Sequence, residues 1–188
     1  MKYILIIVAH PKQDSFSFAM ADTYKKASEA KGDKVELLDL YRSEHQQPFF
    51  TYNDANDAPK TEAITYFQEK MSNADEIVFV FPYWWGSFPA ILKNFMDTNL
   101  TKGFAFEYVN SRPKGLLNGK SVKVFTTTGA PKFIYTLTGA NRRLKNMIKE
   151  QIVQFCGMKL TSFDIFGGVD TNRSNTDKIL EQITAKHK

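Results

Sequence analysis

The sequence predicts an open α/β sandwich: five parallel strands in the order 2-1-3-4-5, with helices on both faces. Three observations carry that prediction. Tyr3 to Ala9 and Glu76 to Phe81 are continuous apolar runs, which is how parallel strands covered on both faces read. Between the strand candidates lie segments whose apolar residues recur at helical spacing. The two kinds alternate along the whole chain, and right-handed crossovers then leave few topologies. A length of 188 residues suits a single domain, 1–188.

After the first strand, Ser15 is placed to cap a helix with Phe16, Met20, Tyr24 and Ala27 on one face, and Gly32 follows its end. Val35 to Leu40 reads as the second strand. Tyr41 to Pro59 has no period and reads as a long loop, a kind of loop that is often functional. Lys60 to Ser72 puts Ala63, Ile64, Phe67 and Met71 on one helical face. Glu76 to Phe81 is the third strand, followed by a helix from Ser87 with Pro89 in its first turn. Thr101 to Gly119 reads as irregular. Val122 to Thr127 is the fourth strand, and Gly139 to Cys156 is a helix with Gly157 beyond it. Leu160 to Phe166 is the fifth strand, and Arg173 to Lys186 the terminal helix.

Composition narrows the function. The apolar fraction is 43% and the charged fraction 24%, values of a globular chain rather than a disordered one. No apolar run is long enough to cross a membrane as a helix, so no membrane insertion is expected. The lone Cys156 makes no internal disulfide and fits a reducing, cytoplasmic setting as a buried thiol. His10, His45 and His187 are far apart and predict no metal site. A net charge of +5 without a basic stripe disfavours nucleic acid and suits small anionic ligands. The aromatic content of 14% fits either an aromatic core or a flat ligand held by rings.

In such a sheet the ligand sits beyond the carboxyl ends of the strands, where the strand order reverses. The loops that fall there are unusual. His10 to Ser17 runs into a helix N-terminus, whose free N–H groups attract a phosphate; Ser15 and Ser17 add hydroxyls, and His10 a ring N–H. Asp14 opposes an anion unless it points outward, and a plain helix cap is the alternative reading. Pro82-Tyr83-Trp84-Trp85-Gly86 holds both tryptophans, suited to stacking on a flat ring or to packing as core or dimer contact. Thr126 to Ala130 offers hydroxyls and the Gly129 amide. Neither GxGxxG nor GxxxxGK[ST] is present, so a dinucleotide fingerprint and a P-loop are unsupported. A phosphate site beside a platform for a planar heterocycle describes a flavin mononucleotide pocket.

The strand order 2-1-3-4-5 is the flavodoxin-like arrangement, and the residues resemble the flavodoxin-like NAD(P)H:quinone oxidoreductases, the DT-diaphorase family with its short bacterial members. The resemblance rests on His10-Pro11 with Ser15-Phe16, Phe81-Pro82-x-Trp84-Trp85, Pro89-Ala90-Ile91-Leu92-Lys93 and Gly103-Phe104-Ala105-Phe106. Thr127-Thr128-Gly129, Tyr135-x-Leu137-x-Gly139 and Phe155-Cys156-Gly157 continue it. It implies a homodimer with a flavin at each subunit interface, with NAD(P)H as donor and a quinone-type acceptor served in ping-pong order. The short chain offers no nameable adenine site, which favours FMN, while the Tyr41 to Pro59 loop could cover an adenosine and leaves FAD as the alternative. It also implies that His10, Ser15, Phe16 and Ser17 hold the phosphate and ribityl chain. Pro82, Tyr83, Trp84 and Trp85 then face the isoalloxazine, and Thr127, Thr128 and Gly129 meet its pyrimidine edge. Tyr135 matches a tyrosine that handles charge on the reduced flavin.

Asn141 stands where members with a tyrosine–histidine pair carry His, which makes it a catalytic candidate unable to titrate. Ser17 stands where Asn is frequent. The long C-terminal extension of the mammalian members is lacking, so their specificity is not carried over. Phe104, Phe106 and Tyr108 alternate, and are expected to share one exposed side that reaches a partner's flavin and lines its acceptor pocket. The rival readings are a regulatory subunit of an ion-efflux system and a flavodoxin-type electron carrier. The positive net charge argues against the carrier.

Overall fold

The computed structural model describes residues 1–49, 51–53, 60–169 and 173–185. The chain runs β1 (Tyr3–Val8), α1 (Phe16–Glu29), β2 (Lys34–Asp39), α2 (Glu62–Asn73), β3 (Glu76–Pro82) and α3 (Ala90–Asn99). It continues with β4 (Phe106–Val109), β5 (Arg112–Gly115), β6 (Ser121–Thr128), α4 (Lys132–Leu137) and α5 (Ala140–Asn146). The last of these passes directly into a π-helical segment, Met147–Gln154, before β7 (Lys159–Gly167) and α6 (Arg173–Ala185). The main sheet has five strands in the order β2-β1-β3-β6-β7, every pair parallel. This is the predicted 2-1-3-4-5 order, with the β4–β5 pair outside it.

β1 and β3 lie between other strands, and both their faces are covered, so nearly every side chain along them is buried. Alternation sends the two halves of each strand to opposite faces. Leu5, Ile7, Ile77 and Phe79 pack with Phe67 and Met71 of α2, Leu92 and Phe95 of α3, and Leu144. Ile4, Ile6, Val78 and Val80 pack with Phe18 and Tyr24 of α1 and with Ile179 and Ile183 of α6. Each such aliphatic side chain contributes about 1.5–3 kcal/mol on burial. Glu76, buried at the start of β3, accepts hydrogen bonds from the Tyr24 hydroxyl and from Ser121 Oγ at 3.2 Å. Lys123 Nζ lies 3.4 Å from the same carboxylate, so the charge is both paired and hydrogen-bonded. Cys156 is buried, and burial pushes its thiol up to about 11.

Several local expectations change. α3 starts at Ala90 rather than Ser87, with Pro89 as its extended N-cap, because Trp84 to Ser87 close a turn of their own. The stretch read as irregular contains the β4–β5 hairpin, closed by Asn110 and Ser111, both left-handed at φ 49° and 61°. Positive φ at both central residues is the two-residue turn that matches strand twist. Residues 132–137 form a helix that the sequence reading left unassigned. The helix expected from Gly139 begins at Ala140, with Gly139 left-handed at its N-cap, and changes to π geometry at Met147. Of the Tyr41–Pro59 loop, residues 41–49 and 51–53 are described and carry no helix or strand; Phe50 and 54–59, like the 186–188 tail, lie outside the described residues.

Candidate functional site

Parallel pairing brings the ends of β1, β3 and β6 together. The Ala9 N–H donates to the Val80 carbonyl at 2.9 Å, and the Tyr83 N–H to the Thr127 carbonyl at 2.8 Å. The three loops singled out in the sequence therefore leave the sheet side by side.

In the first loop Ser15 occupies the N-cap of α1 in extended conformation, but its side chain makes no capping bond. The Oγ atoms of Ser15 and Ser17 are both buried and have no hydrogen-bond partner. A buried hydroxyl left unpaired costs roughly 1–3 kcal/mol, so two at one helix start are a provision for something else. The first turn of α1 holds no acidic residue, and its leading N–H groups have no partner within the helix. Asp14 is exposed and lies 3.4 Å from Lys12, so it points away from this cradle. His10 Nδ1 lies 3.0 Å from the Lys12 N–H and 3.1 Å from the Lys12 carbonyl, so both backbone groups hold that edge of the ring while Nε2 is left for another partner. Burial holds the His10 ring below its ordinary pKa, helped by the Arg42 and Lys12 charges. Free N–H groups, two orphaned hydroxyls and a positive helix end fit a phosphate.

The second loop is a tight turn. Trp84 and Ser87 exchange backbone hydrogen bonds of 3.0 and 2.9 Å around Trp85 and Gly86, whose φ values are 52° and 78°. A bulky residue in the left-handed region costs roughly 1–2 kcal/mol. Trp85 is wholly exposed and Trp84 partly so, its ring 5.9 Å from that of His10. Neither indole therefore fills the core. Phe16 is half-buried, and Pro82 is buried as the last residue of β3.

In the third loop Thr126 to Thr128 are buried and Gly129 is half-buried. The Thr128 hydroxyl donates to the Ala130 carbonyl at 2.9 Å, which commits its proton to the turn and leaves its oxygen free to accept. Tyr135, from α4, meets Tyr83 edge-on with ring centroids 5.3 Å apart. Burial raises the Tyr83 hydroxyl above its usual pKa, so it stays protonated and able to donate at neutral pH. Asn141 Nδ2 donates to Thr136 Oγ1, next in sequence to Tyr135, at 3.1 Å; its Oδ1 is buried without a partner, and the residue lines a concavity with Lys132 and Arg142.

The expected aromatic side of 104–108 is only partly present. Phe104 and Phe106 are half-buried against their own core, Phe106 edge-on to Phe155 at 4.9 Å. Tyr108 alone stays exposed. The ends of this stretch are fastened to the domain, since the Leu116 N–H donates to Ala105 and the Leu117 N–H to Cys156. A larger apolar surface comes from α4, which leaves Phe133, Ile134 and Leu137 exposed. The sequence reading also missed Arg42. Its Nη1 donates to Asp39 at 2.7 Å, and its Nη2 donates to the Pro11 carbonyl, which pins the phosphate-side loop to the end of β2. The signal was available: Asp39 and Arg42 flank the end of β2 at a turn-like spacing.

The chain matches the family described by a flavodoxin-like fold over residues 2–188. It is 31% identical over 186 residues to a Haemophilus influenzae protein named as an NAD(P)H oxidoreductase, covering 97% of this chain and 92% of that one. It is 33% identical over 171 residues to an FMN-dependent NADH:quinone oxidoreductase of Caldicellulosiruptor bescii, covering 85% of this chain and 83% of the relative. Among solved structures, an NAD(P)H:quinone oxidoreductase of Methanothermobacter marburgensis superposes with a TM-score of 0.88 at 23% identity, covering 99% of this chain and 97% of that one.

Proposed function

The chain belongs to the family with the flavodoxin-like fold, and from that premise we propose that it is a flavin-dependent NAD(P)H dehydrogenase that reduces quinones by two electrons. The relatives named as NAD(P)H and FMN-dependent NADH:quinone oxidoreductases support this reading, and support FMN as the cofactor. The observation that carries it is the pair of buried, partnerless hydroxyls, Ser15 Oγ and Ser17 Oγ, at a helix start beside an exposed tryptophan turn. When bound, a flavin would supply the two-electron chemistry that links NAD(P)H to the acceptor.

The chain's own residues bind, orient and handle protons. Ser15, Ser17 and the first N–H groups of α1 hold the phosphate, with Phe16 beside the ribityl chain and the His10 ring at the edge of the same loop. Pro82, Tyr83, Trp84 and Trp85 present the face for the ring system. Thr127 and the Gly129 amide meet its polar edge, with Thr128 shaping the turn. Tyr83 keeps its hydroxyl proton at the site, with the Tyr135 ring edge-on beside it. Donor and acceptor use one face in turn, which gives ping-pong kinetics. The exposed apolar side of α4, with Trp85 and Tyr108, is covered in a homodimer, so that each site is shared between two copies. The lone, buried thiol supports a cytoplasmic location.

The test is reconstitution. Purified protein is expected to bind FMN, to oxidise NAD(P)H with a benzoquinone, and to give parallel double-reciprocal lines; protein that binds neither FMN nor FAD overturns the reading. Tyr135→Phe is expected to lower turnover by about 5- to 100-fold with little change in flavin affinity, because a hydroxyl aimed at developing charge is worth roughly 1–3 kcal/mol in the transition state. Stopped-flow reduction by NADH and a flavin titration separate the two; unchanged turnover removes Tyr135 from the chemistry. Sedimentation velocity checks the dimer. Tyr108→Ala is expected to weaken association and raise the acceptor KM, whereas a fully active monomer at micromolar concentration rules out the shared site.

A further inference from the structure

A second concavity, of about 400 Å³, lies at the β7 edge of the sheet against α4, α5 and the π-helical segment. Lys132, Arg142, Lys145 and Lys149 line it, and no carboxylate does. Among the described residues none of the four is in an ion pair. Four positive charges thus face one hollow in a chain whose net charge is +5. Arg142, Lys145 and Lys149 fall on one stripe of the helix, where like charges repel unless an anion is set against them.

The rest of the lining is not merely basic. Phe163 and Ile165 project from the same side of β7 into the hollow and give it an apolar floor. Asp164, between them, accepts from Ser162 Oγ at 2.5 Å and lines an adjoining concavity that shares Lys132 and Ile165 with this one, so Arg142, Lys145 and Lys149 are the cations furthest from a carboxylate. Asn141 adds a buried Oδ1 that no donor satisfies. Cations for a dianion, a flat apolar surface for a ring and an unsatisfied acceptor for a hydroxyl are the parts that recognise a nucleotide.

We propose that this concavity binds the phosphomonoester of a nucleotide, with the dianion on Lys145, Lys149, Arg142 and Lys132 and the nucleoside against Phe163. That chemistry has two sources, the 2′-phosphate of NADPH or a free nucleotide. The first rests on the proposed function, and it has a short path: Lys132 lies one helical turn before Tyr135 on α4, so the hollow begins next to the aromatic site.

Isothermal calorimetry of the flavin-loaded protein with 2′,5′-ADP and with adenosine tests the site without any turnover, so its outcome is independent of whether the oxidoreductase reading holds. 2′,5′-ADP is expected to bind more tightly than adenosine. Lys145→Glu with Lys149→Glu should weaken that binding at least about tenfold, while Lys60→Glu with Lys178→Glu, the same change of charge elsewhere, leaves it intact. Equal binding of the two ligands, or equal loss in both pairs of variants, overturns the proposal. The source is read from kinetics. A KM for NADPH raised about tenfold in the first pair, with kcat and the KM for NADH unchanged, assigns the site to the donor's 2′-phosphate. Unchanged KM values together with lost 2′,5′-ADP binding assign it to a free nucleotide.

Discussion

Ser17→Asp is expected to leave the protein colourless and the apoprotein no more stable than the native one. Ser17 is the second residue of α1, buried, with a hydroxyl that has no partner. A carboxylate at that place gains about 0.3–1 kcal/mol from the helix N-terminus, but burying its charge costs at least as much. The same carboxylate occupies the ground on which the phosphate is proposed to sit. Two unit charges ~4 Å apart repel by about 4 kcal/mol at an effective dielectric constant near 20. Even half of that, added to the lost space, weakens FMN binding by well over tenfold, and by about 100-fold or more if most of it is felt. Ser17→Ala is the companion variant. It removes one hydrogen bond, worth about 1 kcal/mol, and should weaken FMN only several-fold. Fluorescence titration with FMN and thermal melts of the apoproteins give both quantities. A Ser17→Asp protein that purifies yellow places the phosphate elsewhere.

The sheet was legible because its signal is strong and local. β1 and β3 are unbroken apolar runs, and strand order alone then puts the His10, Tyr83 and Thr127 loops at one end. The parts that were not legible break an assumption of pattern reading. Phe133, Ile134 and Leu137 of α4 are apolar but face outward, so a search for a buried helical stripe passes over them. The β4–β5 turn uses Asn110 and Ser111 at positive φ without a glycine, and β5 carries Arg112, Pro113 and Lys114 rather than an apolar alternation. Phe104 and Phe106 alternate as expected, yet the chain turns them toward their own core. The basic hollow was invisible for a different reason. Its cations are spread from Lys132 to Lys149 and its floor comes from β7. The adjacent Arg142 and Arg143 are moreover split by the fold: Arg142 lines the hollow, whereas Arg143 turns back to donate to the Thr138 carbonyl at 2.9 Å.

Gly115→Ala is expected to destabilise the protein more than any other single methyl placed in the β4–β5 region. A Cβ at Gly115 would stand 2.1 Å from the Gly157 nitrogen and 2.3 Å from the Cys156 carbonyl carbon, both backbone atoms that no rotamer change can move aside. The contact is also pinned by hydrogen bonds. The Leu117 N–H donates to the Cys156 carbonyl at 2.9 Å, and Asn118 Nδ2 donates to the Gly115 carbonyl at 2.8 Å. Relief therefore requires the hairpin to lift as a unit, with loss of those bonds. Overpacking of this kind costs about 3 kcal/mol or more, and a chain of this size then melts about 10 °C lower. Gly103→Ala is the control. It has φ of +88° but nothing within 4 Å of a new Cβ, so it carries backbone strain alone, about 1–2 kcal/mol. The lifted hairpin carries Phe106 and Tyr108, whereas the α1 cradle lies outside it. Gly115→Ala should accordingly raise the KM for the quinone while FMN affinity stays within about twofold, a shift of under 0.5 kcal/mol. Melting curves, FMN titration and acceptor kinetics on the two variants decide it. Equal melting temperatures for Gly115→Ala and Gly103→Ala would show that the close approach to Gly157 yields without cost, and an unchanged quinone KM would remove the hairpin from the acceptor pocket.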